Sequence, residues 1–304
     1  MTTFEQNTEL HQRAFASARR TNKIMTGVLY AVGYFVLLFL IVLTGHIIIS
    51  GLKDFYPELL STGDDGILNQ LFNTVYLVFW SLLISVPLGI GAGVYLAEYA
   101  KPGKFLDFLQ ISIQALSSLP SIIIGLFGYL VFILMTGMRW NLFAGALAVS
   151  IMCLPLITTE TDQAIRALPR GYSEGSLALG ATHAQTIRKV LIPAAMPQIL
   201  TGVIMAAGRG FGEAAALLYT AGQSTNISWT NWNLTSSRCP LNPFRPGETL
   251  ALHIWGMRTI GTVNPHSTEI ASFCSAILVI MTFIFSLVTR RISDNLVKKN
   301  TGGK

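Results

Sequence analysis

Arg209 and Glu213 stand four residues apart inside AAGRGFGEAAALLYTAG, a run with no other charge. A guanidinium presents a planar fork of donors that matches an oxyanion. A neighbouring carboxylate can orient such an anion, or take the cation back when the anion leaves. The i, i+4 spacing puts both groups on one face of a helix and lets them pair. Two readings stand side by side: an ion pair that locks this helix against its neighbours, or two residues on a route for an anion. A charge at the centre of a bilayer costs about 2.5–3.5 kcal/mol on insertion scales, so such residues face a protein interior or water. Gly208, Gly210 and Gly212 surround the pair and let a neighbouring backbone or a ligand come close.

The elements that must hold this pair are apolar and long. The chain has 304 residues, 51% hydrophobic and 12% charged, with a mean hydropathy of +0.53. A soluble domain carries about a quarter charged residues. The expected fold is therefore all-α and polytopic, with six membrane helices. The spans are expected at 24–49, 71–96, 108–135, 142–159, 194–221 and 268–289. A polar, basic tail covers 1–23, and a second basic tail covers 291–304. Between them, 24–290 is one membrane domain with its core at 71–290, a polar loop at 160–193 and an outer loop at 222–267. The first apolar run is too long for a cleaved signal segment and reads as a retained span.

With both termini placed on one side, fifteen of the 21 Lys and Arg fall on that side, five on the other, and Arg209 lies within a span. This bias puts both ends in the cytoplasm. It also accounts for the net charge of +6 as residues that orient spans and meet anionic lipid, so nucleic acid is not an expected partner.

Enzyme chemistry finds no footing. Cys153, Cys239 and Cys274 have no metal or disulfide spacing, and His46, His253 and His266 have no matched ligands. No catalytic residue, no metal site and no cofactor are expected. The Gly89, Gly91, Gly93 run after Pro87 lies in an apolar span and reads as close helix packing, not a nucleotide loop. No GxxxxGK[ST] segment occurs, so the chain is not expected to bind ATP.

The longest polar interruption that still reads as helix is EGSLALGATHAQTIRKVLIP, Glu174 to Pro193. Ser173 is the expected N-cap, with Glu174 in the first turn. Gly180 permits a positive φ that ends a short helix. A second helix is expected over 183–190, and Pro193 opens the next span at its first turn. A helix, a bend and a helix outside the bilayer suit insertion into a partner's groove. An amphipathic loop lying on the membrane face is the competing reading.

This stretch resembles the EAA loop of importer-type ABC permeases. In that family Glu-Ala-Ala is followed, after three residues, by Gly; ten residues later come apolar, any, apolar and Pro. Here the matching positions are Glu174, Gly175, Ser176, Gly180, Val190, Ile192 and Pro193. Gly175 and Ser176 replace the alanines; the glycine should loosen its helix by about 1 kcal/mol. The match to PstA-type phosphate permeases extends over about 73–222. It includes Leu119-Pro120-Ser121-Ile122 through Phe127, Ile192-Pro193-Ala194-Ala195-Met196-Pro197, and Arg209 to Glu213 with the Ala-Ala-Leu-Leu that follows. Gly208 and Phe211 depart from the residues the family tends to place there.

The resemblance implies a permease subunit of an ATP-driven importer for inorganic phosphate in a bacterial inner membrane. Its implied partners are a second, PstC-like permease, a PstB-like ATPase dimer that uses ATP and Mg, and a PstS-like phosphate-binding protein outside. The loop residues then dock the ATPase, while Arg209 and Glu213 line the path, paired at rest. Another oxyanion (sulfate, molybdate, a phosphonate) and an ATP-independent channel or carrier are the alternative readings. Pro120 with Ser117, Ser118 and Ser121 should break the third span and supply candidate pore lining, or a tolerated kink. Trp229, Trp232 and Trp255 in the outer loop either meet the binding protein or sit at the membrane interface.

Overall fold

The computed structural model describes residues 3–63, 66–223, 227–259 and 265–300. Asp64, Asp65, the ends 1–2 and 301–304, and parts of the expected outer loop (224–226 and 260–264) lie outside the described residues. The described chain is all-α, with no strand among those residues. Five helices among the described residues are long and apolar enough to cross a bilayer, or six if the bent pair Lys104–Ser118 and Ser121–Leu134 is one span.

The first unit, 1–49, consists of most of helix α1, Thr3–Lys53. The expected polar tail is not separate: its residues continue the same helix from Thr3. Between Ile24 and Leu43 the apolar side chains of α1 are exposed on every side, as suits a helix in hydrocarbon.

The second unit, Ser50–Lys304, contains the other spans. Helix α2, Leu68–Val94, runs into a wide π turn at Tyr95–Tyr99. Helix α3, Lys104–Ser118, is followed by α4, Ser121–Gly128, and a second π turn, Tyr129–Leu134. Helix α5 covers Leu142–Arg166, with Asn141 capping its start through the Ala144 N–H. Two short helices follow, α6 at Gly171–Ala178 and α7 at His183–Thr186. A third π turn, Ile187–Leu191, leads directly into α8, Ile192–Phe211. Then come α9, Ala215–Thr220, α10, Leu250–Thr259, and α11, Ser267–Asn300.

Helices α2 and α5 form the centre, and small residues let them meet. A Cβ on Gly93 would fall 2.5 Å from the Thr161 Cβ, and one on Gly89 would fall 2.8 Å from the Ile157 Cβ. Lipid is as apolar as leucine, so backbone proximity and van der Waals contact hold such a pair together. Leu77, Val149, Cys153, Ile157, Ala206 and Leu217 fill the core where α2, α5, α8 and α9 converge. Ala164, Ile165, Ile187, Leu191 and Ile199 bind the far end of α5 to the helix that opens at His183.

Several expected boundaries move. Helix α5 carries on through Glu160 and Asp162 to Arg166, so the polar stretch begins inside a helix. Arg166 satisfies itself there, donating to Asp162 at 2.8 Å and to the Leu96 carbonyl at 2.6 Å. The fifth span is not one helix over 194–221: α8 stops at Phe211 and α9 begins at Ala215. The expected final tail is helical through Asn300. Part of the expected outer loop is the buried helix α10, packed through Leu250 against Ile270 and Phe273 of α11. Trp255 is half-buried and packs against the core cluster that includes Leu252.

Candidate functional site

Two sites were expected, and each has a definite geometry. The first is the hairpin of α6 and α7. Ser173 is not its N-cap: Arg170 holds that position with helical backbone angles and no side-chain cap, so Ser173 is already within the helix. Glu174 stands in the first turn of α6, exposed, where the helix dipole favours it. The bend is at Gly180, with φ +84°, a left-handed conformation that a side chain resists. Thr182 and Gln185 then form a reciprocal capping box at the start of α7. The Thr-x-x-Gln spacing is its signal in the sequence.

Two side-chain contacts fix the hairpin's shape. Ser176 Oγ and Thr186 Oγ1 lie 2.9 Å apart, bridging α6 to α7. His183 Nε2 lies 3.1 Å from Glu98 Oε2, and its ring meets Tyr99 edge-on with centroids 5.2 Å apart. Apolar side chains remain uncovered: Leu179 is 91% exposed, and Tyr172 and Leu177 are also exposed. Val190 and Ile192 are half-buried, on the side of the hairpin that meets the membrane domain.

Pro193 does not open a new helix. One continuous helix runs from His183 to Phe211. A proline inside a helix removes a donor and crowds the turn before it. Here the π turn directly ahead of it widens that turn, with the Ile192 N–H donating to the Ile187 carbonyl. From His183 to Arg209 this rod measures about 39 Å at about 1.5 Å per residue.

The second site is at the other end of the rod. Arg209 and Glu213 form no ion pair, contrary to the expectation of pairing. The helix ends at Phe211, so the i, i+4 facing is lost before Glu213. Glu213 is buried and turns forward, accepting a hydrogen bond from the Ala216 N–H at 2.9 Å to start α9. Arg209 is half-buried in the last turn of α8, where the helix dipole favours a cation. Among the described residues it has no hydrogen-bonded or ionic partner. Cys153 is close by, its buried thiol donating to the Ala206 carbonyl at 3.4 Å.

The break near Pro120 is real and large. Helix α3 and the α4 segment meet at 98°. Ser117, Ser118 and Pro120 are exposed and Ser121 half-buried at that corner. Helix α4 then lies against α9, where a Cβ on Gly125 would come 2.6 Å from the Ala216 Cα. Helix α4, which follows that corner, therefore packs on the helix that Glu213 caps.

A third polar cluster lies outside the expected sites. Arg245 is fully buried in the segment between α9 and α10, donating to the carbonyls of Pro240 and Pro246 and to Asn73 Oδ1. Asn73 in turn donates to the Glu248 carbonyl at 2.9 Å, and Glu248 meets His253 Nδ1 at 2.8 Å. Burial pushes the Arg245 guanidinium down to about 10, which still leaves it charged near neutrality. Trp229 joins this region to α2, donating to Asn69 Oδ1 at 3.0 Å and packing edge-on to Phe72. Trp232 is exposed. The signal available was an arginine between two prolines, Pro243-Phe244-Arg245-Pro246, in a stretch otherwise read as loop.

This fold, an apolar helical bundle with a polar hairpin built into a span, is shared with known importers. The chain belongs to the family described as binding-protein-dependent transport system inner membrane component, whose pattern matches residues 86–302. It is 44% identical over 288 residues to the probable ABC transporter permease protein YqgI of Bacillus subtilis, covering 92% of this chain and 98% of that one. It is 31% identical over 234 residues to the phosphate transport system permease protein PstA 2 of Mycobacterium bovis, covering 77% and 73%. A bacterial ABC transporter involved in the import of the acidic polysaccharide alginate shares the fold, with a TM-score of 0.59 at 14% identity over 88% of this chain and 95% of that one.

Proposed function

We propose that this chain is the PstA-type permease subunit of an ATP-driven importer for inorganic phosphate. The observation that carries the proposal is Arg209, a half-buried guanidinium at the end of a span with no carboxylate bound to it. An unneutralised cation at membrane depth is costly unless an anion or water meets it. The M. bovis relative, named as a phosphate permease, supports phosphate as that anion. Glu213, held in its capping role, keeps a negative charge nearby that stops the anion from being trapped.

In this reading Glu174, Gly175, Ser176 and Gly180 dock a separate ATPase dimer, and the exposed Leu177 and Leu179 enter its groove. Val190, Ile192 and Pro193 carry the movement into the α8 rod. A second permease supplies the other half of the path, and a phosphate-binding protein delivers substrate outside. Both termini lie in the cytoplasm. ATP and Mg are used by the ATPase, not by this chain.

The test is uptake into membrane vesicles holding the whole complex. Wild type should accumulate labelled phosphate. Arg209→Gln should lose that uptake while the ATPase still co-purifies. Normal uptake by Arg209→Gln would remove the path role, and uptake of sulfate or molybdate in preference to phosphate would reassign the substrate.

A further inference from the structure

Helix α3 has three distinct faces, and only two of them have an evident environment. Successive positions turn by about 100°. Leu106, Leu109, Ile113 and Leu116 form one ridge, half-buried toward the chain's own helices. Phe105, Phe108, Ile111 and Ala115 form a second ridge, with Phe108 and Ile111 each 64% exposed, as suits lipid. The third ridge is polar: Asp107, Gln110, Gln114, Ser117 and Ser118, all exposed. Hydrocarbon does not tolerate such a ridge, because each unmatched amide or carboxylate there costs several kcal/mol, roughly.

The backbone gives a second, independent indication. Leu119 and Pro120 are both extended, with ψ of 132° and 137°. Among the described residues no backbone N–H returns across this corner to the carbonyls of Leu116, Ser117 or Ser118. Non-helical backbone at membrane depth is tolerated where it meets protein or water. Past the corner, Gly125 of α4 packs on Ala216 of α9, the helix that Glu213 caps.

Resting on the importer reading above, we infer that Gln110, Gln114 and Ser117 form one wall of a hydrated oxyanion path, whose opposite wall is a second permease subunit. Carboxamide and hydroxyl groups donate hydrogen bonds to an oxyanion without a fixed charge, so they hold it weakly enough to release it. Asp107 opens the same face and marks water at that end of the helix. Charge attraction is left to Arg209, further along.

The experiment places single cysteines on α3 in the complete complex, in vesicles of both orientations. The native Cys153, Cys239 and Cys274 are buried, and labelling of the complex without an added cysteine is subtracted as background. A membrane-impermeant sulfonate thiol reagent reacts with thiolates in water. Gln110→Cys and Gln114→Cys should react about tenfold faster than Phe108→Cys and Ile111→Cys, because hydrocarbon suppresses the thiolate. The attached sulfonate should stop uptake, and saturating inorganic phosphate should slow the reaction. Ser117→Cys, a near-isosteric change, repeats the test if a glutamine variant does not assemble. Equal reaction on both ridges overturns the inference, and so does no reaction at the polar positions. Reaction at Gln110→Cys and Gln114→Cys without loss of uptake also overturns it, and makes α3 a helix of the membrane surface. If the wild-type vesicles carry a solute other than phosphate, the substrate assignment fails. The wall is then still judged, by labelling and by uptake of that solute.

Discussion

His183 Nε2 lies 3.1 Å from Glu98 Oε2, joining the first turn of α7 to the π turn that closes the α2 span. The hairpin is thus fastened to two spans: to α8 by continuous helix and to α2 by this pair. His183 is 42% exposed and Glu98 21%, so solvent screens the contact and its worth is up to about 1 kcal/mol. Glu98→Gln and His183→Ala should each weaken capture of the ATPase by at most about fivefold. The double variant should be no weaker than the worse single one, since the partners share one interaction. Titrated co-purification measures all four proteins; strictly additive losses would show that the two residues do not act as a unit.

Gly180 separates backbone strain from crowding. Its φ is +84°, yet a Cβ added there would meet no atom within 4 Å. Gly180→Ala should therefore cost about 1–2 kcal/mol through the left-handed conformation alone. A β-branched residue should cost more, because its second γ group restricts the backbone further. In ATPase capture, Gly180→Ala should be impaired and Gly180→Val more so. Equal capture by wild type and both variants would show that the hairpin can dock without this turn.

Arg245 is a stability prediction, not a transport one. Its fork reaches Pro240, Pro246 and Asn73 in separate directions. Arg245→Lys keeps the charge but supplies one compact ammonium, so at least one of these acceptors is left buried and unanswered, at about 1–3 kcal/mol. Its thermal midpoint in detergent should fall by several degrees, with protease sensitivity appearing near 238–248. The folded guanidinium, lowered to about 10, has a smaller proton affinity than an unfolded arginine. Its burial penalty is therefore fully present below that pH and is relieved only as pH rises above it. From this residue, the midpoint should not change between about pH 6 and 9. A midpoint unaffected by Arg245→Lys would show the cluster to be dispensable.

Fold class was legible because hydropathy and charge bias are summed over many residues, and a misread position changes little. Breaks were partly legible. Pro120 announced the corner after α3, since an absent N–H is written in the sequence. The break at Gly212 to Ala214 was not, because no proline marks it and Glu213 acts as a cap only once α8 has ended. The spacing of Arg209 and Glu213 was right for a pair only if the helix continued. The Arg245 cluster was illegible for another reason: its partners, Asn73 and Glu248, lie 175 residues apart in sequence. A buried arginine answered by carbonyls leaves no periodic signal.

Gly175 and Ser176 depart from alanine with opposite physical consequences. Gly175 lies inside α6 with no positive φ, and a Cβ there would meet nothing within 4 Å. Gly175→Ala should stabilise that helix by about 1 kcal/mol through backbone entropy and propensity. Ser176→Ala gains about half as much in propensity but loses the 2.9 Å contact with Thr186, itself worth about 1 kcal/mol. Protection of the α6 amides from hydrogen exchange distinguishes the two: it should rise in Gly175→Ala and hold or fall in Ser176→Ala. If protection rises equally in both, the Ser176–Thr186 bridge contributes nothing, and helix propensity alone sets the stiffness of the hairpin.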